Sequence, residues 1–217
     1  MSNFSSGDQL KIITFNAQGL RNSKHRKANF HYFRKNKYDI ICIQEAYLLQ
    51  QDRHLISLEW GSHFHLVEGT KRSKGLVTLF SDKIKESHVI FSNDRIIISS
   101  VKFGNEAITI INIYAPCDDK EKILFFQHIA RVMEENNLID NGNIIILGDT
   151  NTVLSNSLDI IAGNPHSKKT VKEFKQFVDN HNLVDIWRVQ NSSNREIFES
   201  YYLSHLYPKV GAESASY

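Results

Sequence analysis

The runs Ile40-Ile41-Cys42-Ile43 and Ile144-Ile145-Ile146-Leu147 constrain this chain more than any other feature. β-Branched side chains are stiff and favour extended backbone, and an unbroken apolar run leaves a strand no polar face to turn toward water. Each run therefore predicts a strand covered on both faces, the pattern of an α/β protein. The longer segments Leu10–Phe15, Asp39–Ile43, Leu76–Phe80, Arg95–Val101, Ala107–Tyr114 and Asn143–Leu147 all read as strands on the same grounds.

Helical periodicity fills some of the gaps. One helix is predicted over Ser23–Asn36, a second over Asp119–Asn137 with Ile123, Phe126, Ala130 and Met133 on one stripe, and a third over Ser167–Asn180 with Val171, Phe174 and Phe177. Asp118 or Asp119 is placed to cap the second and Ser167 the third, because a side-chain oxygen there accepts orphan amide protons of the first turn. From His63 to Tyr114 the strand candidates follow one another without a helix, which predicts antiparallel pairing. The length of 217 residues suits one domain, and 3 Pro and 10 Gly leave little material for linkers.

Other features narrow the function classes. Two cysteines, Cys42 and Cys117, make neither a disulfide framework nor a zinc site by themselves, so a reducing, intracellular setting is expected, with nuclear and cytoplasmic both open. Met1–Asp8 is polar and reads as no signal peptide, and no window approaches the ~18 apolar residues of a membrane span, so no membrane partner is expected. Net charge is small, 26 − 24 = +2, yet Arg21 to Tyr38 holds seven basic residues and no acidic one. Arg21, Lys24, Arg26 and Lys27 are the candidate contacts to a polyanion, with Lys71, Arg72 and Lys74 and then Lys168, Lys169, Lys172 and Lys175 as further basic clusters.

Polar residues gather where the apolar strands end, the place where α/β proteins open a crevice. They are Asn16 after Ile13-Thr14-Phe15, Glu45 after Ile43-Gln44, Tyr114 before Ala115-Pro116, and Asp149 and Asn151 in Gly148-Asp149-Thr150-Asn151. A carboxylate and amides at one mouth are hard oxygen donors of the kind Mg²⁺ takes alongside water and substrate phosphate. A second carboxylate can orient an attacking water, and a tyrosine hydroxyl can hydrogen-bond a phosphoryl oxygen as charge develops. His63 and His65 also share a strand face but lack a third ligand for a metal.

The segments Phe15-Asn16-Ala17-Gln18-Gly19-Leu20, Gln44-Glu45, Asn112-Ile113-Tyr114-Ala115-Pro116, Gly148-Asp149-Thr150-Asn151 and Leu183-Val184-Asp185-Ile186-Trp187-Arg188 occur in the order of motifs in the endonuclease/exonuclease/phosphatase superfamily. The chain most resembles the abasic-site-endonuclease-like domain of non-LTR retrotransposons. That resemblance implies a four-layer α/β/β/α sandwich with two mixed sheets over residues 10–190, a flexible start at 1–9 and a divergent tail at 191–217. It implies Mg²⁺-dependent hydrolysis of DNA phosphodiesters, with Mn²⁺ as an alternative metal and no small-molecule cofactor. By the same resemblance Glu45 and Asn16 bind the metal, Tyr114 contacts the scissile phosphate, Asp149 orients or deprotonates water, and Asn151 holds the phosphoryl oxygens and Asp149.

The match fails near the end of the chain. The family's closing Ser-Arg-Ile/Leu-Asp and Ser-Asp-His motifs have no counterpart, Ile197-Phe198-Glu199-Ser200 is at most a remnant of the preceding aromatic strand, and His205 lacks a preceding Asp. Gly148-Asp149-Thr150-Asn151 also carries Thr where an aromatic is usual. The expectations that follow are a truncated domain with C-terminal strands missing, a sheet edge open to a partner, and impaired cleavage. The alternatives are a non-catalytic remnant that binds nucleic acid and a lipid or inositol phosphodiesterase of the same superfamily.

Overall fold

The structure is a computed structural model that describes residues 9–61, 63–71, 73–139, 143–159, 165–186, 189 and 206–208. Its elements in chain order are β1 (Ile12–Asn16), α1 (Ser23–Lys35), β2 (Ile40–Gln44), α2 (Arg53–Glu59), β3 (Phe64–Val67), β4 (Leu76–Phe80), β5 (Glu86–Asn93), β6 (Ile96–Phe103), β7 (Glu106–Tyr114), α3 (Asp119–Glu135), β8 (Ile144–Asp149), α4 (Asn156–Asp159), α5 (Lys168–Asn180), β9 (Leu183–Asp185) and β10 (Leu206–Pro208). One sheet has the order β1-β2-β4-β3 and the other β5-β6-β7-β8-β10-β9. Both are mixed: β1 runs parallel to β2 and β7 parallel to β8, while the other pairs are antiparallel.

The isoleucine runs explain the layering. In β8, Ile144 and Ile146 pack with Phe126, Ile129 and Phe174 of α3 and α5, whereas Ile145 and Leu147 pack with Ile40 and Cys42 of β2. In β2 the alternate residues Ile41 and Ile43 face Phe30 and Phe33 of α1. A strand's period of two sends one half of each run toward helices and the other half toward the opposing sheet. The order of layers is therefore helix, sheet, sheet, helix, the four-layer mixed α/β architecture expected.

Asn22 caps α1, Asp118 caps α3 and Ser167 caps α5, each accepting amide protons of the first turn. The apolar stripe of α3 is turned slightly from the expected one: Phe126 and Met133 are buried, but with Lys122, Phe125 and Ile129 rather than with Ile123 and Ala130. Neither β5 nor α2 gave a sequence signal. The strand β5 is polar along most of its length, and α2 has seven residues, too few for periodicity to stand out.

The second sheet does not stop at β8. The three-residue strand β10 lies between β8 and β9, with Leu206 opposite both Ile146 and Asp185. Alternation is illegible over so short a strand, so the tail at 191–217 announced no sheet residue. Ile197–Ser200, His205, Trp187 and Arg188 lie outside the described residues.

Candidate active site

Two parallel strand pairs end at one mouth. Asn16 closes β1 and Glu45 follows β2 in one sheet, while Tyr114 and Asp149 end β7 and β8 in the other and are directly paired in register. The Tyr114 hydroxyl donates to Glu45 Oε1 across the gap between sheets at 3.1 Å, and Asn16 Nδ2 donates to the same oxygen at 3.1 Å. Asn16 also lies close enough to the Asp149 carboxylate to favour its ionised form. The structure thus brings together all five residues picked from the strand ends.

What fixes the two sheets relative to each other is a buried polar bridge one residue behind the mouth. Gln44 Nε2 donates to Asn112 Oδ1 at 2.8 Å, Thr14 Oγ1 donates to Gln44 Oε1 at 3.1 Å, and Asn112 Nδ2 donates to Val77 O at 3.1 Å and to Thr78 Oγ1 at 3.2 Å. All four polar side chains are buried, where an unmatched amide is costly and a matched one fixes a unique register. Neighbours in sequence then inherit that register: Glu45 follows Gln44, and Tyr114 lies two residues after Asn112.

Backbone conformation finishes the job locally. Glu45 has φ +51° and Asn151 φ +46°, left-handed values that turn each chain out of its strand. Gly148 has φ +139° and sits against the paired strand β7, so that a Cβ there would collide with the Ile113 carbonyl. Only glycine fits that close approach, immediately before Asp149.

Asp149 is 6% exposed. Burial raises its pKa above the ordinary carboxylate value, and the nearby Glu45 charge adds to the rise. The Asn151 N–H, which donates to Oδ1 at 2.9 Å, the Asn16 amide and the Lys122 charge pull the other way. A carboxylate held by amides in a mostly dry pocket is suited to orienting a water and receiving its proton. The Tyr114 phenol is pushed well up by burial, then by the Glu45 charge and its hydrogen bond to it, so it stays protonated as a donor.

Two residues around the site, Lys122 and Arg95, gave no sequence signal. Lys122, 2% exposed on α3, donates from Nζ to the Asn151 carbonyl at 2.6 Å and pairs with Asp119 at 3.0 Å. Asn151 Nδ2 donates to Ala115 O at 2.7 Å, so the loop after β8 is tied both to α3 and to the chain leaving β7. Arg95 places its guanidinium 5.5 Å from the Tyr114 ring centroid and donates to the Tyr114 carbonyl at 3.2 Å. A lysine among apolar helix residues reads as a snorkelling surface residue, and only the fold shows it pointing at a loop 29 residues away.

The basic stretch divides. Lys24 and Lys27 are exposed on α1, and Arg21 is exposed but paired with Asp52 at 3.2 Å. Arg26 is corrected: it is 2% exposed, donates to both Glu59 oxygens at 2.8 and 2.7 Å, and also donates to the Leu20 and Arg21 carbonyls. It points inward because the α1 face that carries Phe30 and Phe33 also carries Arg26, and α2 supplies its counter-ion. His63 and His65 bond Ser87 at 2.7 Å and Ser99 at 2.8 Å between the sheets.

Glu45, Asn16 and Asp149 are hard oxygen donors, and the described residues hold no group of three or more His, Cys, Asp or Glu that could hold a metal. Two carboxylates and an amide fit a hard divalent cation that keeps waters and takes further oxygens from a ligand. Among the described residues no helix is long and apolar enough to cross a membrane.

Comparison with known proteins agrees with this geometry. Residues 13–159 match the Endonuclease/Exonuclease/phosphatase family, and the chain belongs to it. It is 27% identical over 187 residues to the Transposon TX1 uncharacterized 149 kDa protein of Xenopus laevis, covering 84% of this chain but only 14% of that protein. The AP endonuclease LMAP of Leishmania major has a similar fold, with TM-score 0.72 at 15% identity over 94% of this chain and 80% of that one. The endonuclease domain of TRAS1, a telomere-specific non-LTR retrotransposon, is similar at TM-score 0.63 and 15% identity, over 92% of this chain and 84% of that one.

Proposed function

We propose that this member of the endonuclease/exonuclease/phosphatase family hydrolyses DNA phosphodiesters, as a retroelement-type endonuclease domain, with a divalent cation held at Glu45 and Asn16. The observation that carries the reading is the convergence of Asn16, Glu45, Tyr114, Asp149 and Asn151 at one mouth, with the buried Asp149 accepting from the Asn151 N–H and Asn16 close beside it. Names of the similar proteins, a transposon protein, an AP endonuclease and a retrotransposon endonuclease domain, favour DNA as substrate.

In this reading Asp149 orients a water and takes its proton, while the Tyr114 hydroxyl and the Asn151 amide hydrogen-bond phosphoryl oxygens as charge builds on them. The cation, Mg²⁺ or Mn²⁺, supplies charge neutralisation at the phosphate. Lys24 and Lys27 lie along the backbone of the nucleic acid, where contacts position rather than read sequence.

The 217 residues contain no Asp-His pair. Loss of one charged group from such a constellation lowers the rate by about 10² to 10⁴. The expected result is slow nicking of supercoiled plasmid in Mg²⁺ that disappears in Asp149→Asn. Rapid turnover, about 1 per second or more, refutes the impairment. DNA binding without any nicking above the Asp149→Asn background refutes the hydrolase and leaves a binding remnant. Cleavage of a phosphoinositide but neither plasmid nor abasic duplex assigns the lipid reading instead.

A further inference from the structure

Immediately after Glu45 the chain makes a second departure from ordinary backbone. Tyr47 has φ +54°, a conformation that costs a bulky residue about 1–3 kcal/mol and that persists only where the surroundings enforce it. They do so from both sides. The Tyr47 N–H donates to Lys74 O at 2.7 Å, Ala46 N–H donates to Gly75 O at 3.2 Å, and Leu20 N–H donates to Ala46 O at 2.8 Å. Ala46 and Leu48 are fully buried, so the residues between and before them, Tyr47 and Glu45, are turned to the mouth.

The result is a large aromatic ring left 41% exposed beside the carboxylate on which the proposed chemistry depends. Burial and then the Glu45 charge close beside it raise the Tyr47 phenol pKa above its ordinary value. The Lys74 ammonium stands over the ring, 5.5 Å from its centroid. A ring whose backbone is fixed and which has a cation over one face has little further freedom to lose on binding and keeps its other face for a partner. Those are the properties of a stacking platform: an aromatic face for a base and a positive charge for the phosphate beside it.

We infer that Tyr47 and Lys74 form a binding subsite for an unpaired nucleobase flanking the scissile phosphate, Tyr47 stacking on the base and Lys74 meeting a neighbouring phosphate. The inference rests on the nucleic-acid reading of the site and adds a substrate preference to it. A base inside an intact duplex has both faces covered by its neighbours, so the subsite favours single-stranded or locally opened DNA over continuous duplex.

The test is equilibrium binding of the full chain to a fluorescein-labelled single-stranded oligonucleotide and to the matching duplex, in EDTA so that nothing is cleaved, across a salt series. Stacking contributes about 1–3 kcal/mol per base, so Tyr47→Ala is expected to weaken single-strand binding about 5- to 150-fold and duplex binding much less. Tyr47→Phe keeps single-strand affinity within about twofold because the face survives. Lys74→Ala lowers the slope of log affinity against log salt by about 0.7, while Tyr47→Ala leaves that slope unchanged. The exposed Tyr47 supports little packing, so the melting temperature of Tyr47→Ala stays at the wild-type value. Single-strand affinity of Tyr47→Ala equal to wild type overturns the inference, and so does an equal loss on duplex and single strand. Nicking is scored apart: a wild-type chain that shows the Tyr47 dependence yet never cuts in Mg²⁺ refutes the hydrolase and leaves the subsite standing.

Discussion

Replacing Lys122 with methionine tests whether a buried cation holds the loop that follows β8. Methionine keeps most of the aliphatic length, so the change removes charge and donors with little change of volume. Two partners are lost. The Asn151 carbonyl, 2.6 Å from Nζ, loses its donor in a site where an unsatisfied group costs about 1–3 kcal/mol. Asp119 loses its counter-ion, but its side chain is 44% exposed and water resolvates it, which limits that contribution to about 0–1 kcal/mol. The ~3–5 kcal/mol typical of a wholly buried pair is therefore not expected, and relief of the lysine's own desolvation offsets part of the loss. A net destabilisation of about 1–3 kcal/mol corresponds to about 2–12 °C in melting temperature for a chain of this size. Thermal unfolding followed by circular dichroism, with urea titration as a second measure, gives the number. A melting temperature within about 1 °C of wild type refutes the clamp, and a loss beyond about 5 kcal/mol shows that Asp119 is not rescued by solvent.

Three further expectations follow from the same geometry. Gly148→Ala forces a side chain onto the Ile113 carbonyl at φ +139° and is expected to lower stability by more than about 3 kcal/mol in urea unfolding, whereas a loss under about 1 kcal/mol contradicts the close approach. Asn112→Ala strands the Gln44 and Val77 partners of the buried bridge, and the expected cost is about 2–4 kcal/mol together with loss of nicking, read by urea titration and the plasmid assay. The His65 pKa is held down at about 4, against 6.5 ordinarily, by burial and then by the charges of His63, Arg53 and His88, while Ser99 and Ser87 hydrogen-bond its ring. Between those values the unfolded chain binds a proton that the folded one does not, so stability from this residue is complete above 6.5 and is lost as pH falls toward 4; His65→Gln should flatten that stretch of the urea midpoint against pH, and an unchanged slope removes His65 as the cause.

Much of the fold could be read directly because its signals are local. The runs at Ile40 and Ile144 specify strands buried on both faces, and Asp118 and Ser167 mark helix starts within a residue of where α3 and α5 begin. The site residues were visible for a related reason: a polar residue that ends an apolar run stands out without knowledge of what it meets. Gln44 and Asn112 did not stand out as partners, since each looks like a tolerated interruption and their bond joins residues 68 apart. Lys122 was hidden in the same way, and Arg26 read as a surface cation because its counter-ion Glu59 lies 33 positions on, in a helix too short to announce itself.

A second class of feature escapes sequence reading for a physical reason of its own. Glu45 and Tyr47 adopt left-handed backbone, which their side chains disfavour and which sequence therefore argues against, while Asn151 adopts it as a residue type that tolerates it. Local preference and observed structure disagree at the mouth, while they agree along the strands behind it. A conflict of that kind lasts only if neighbouring structure enforces it, here through the Gly75 and Lys74 carbonyls beside Ala46 and Tyr47, the Glu45 carbonyl accepting from Gly19, and Lys122 beneath Asn151. The buried bridge and the lysine clamp are therefore part of how the site is made, because without them the chain leaving β2 and β8 would relax toward ordinary backbone and carry Glu45, Tyr47 and Asn151 away from Asp149.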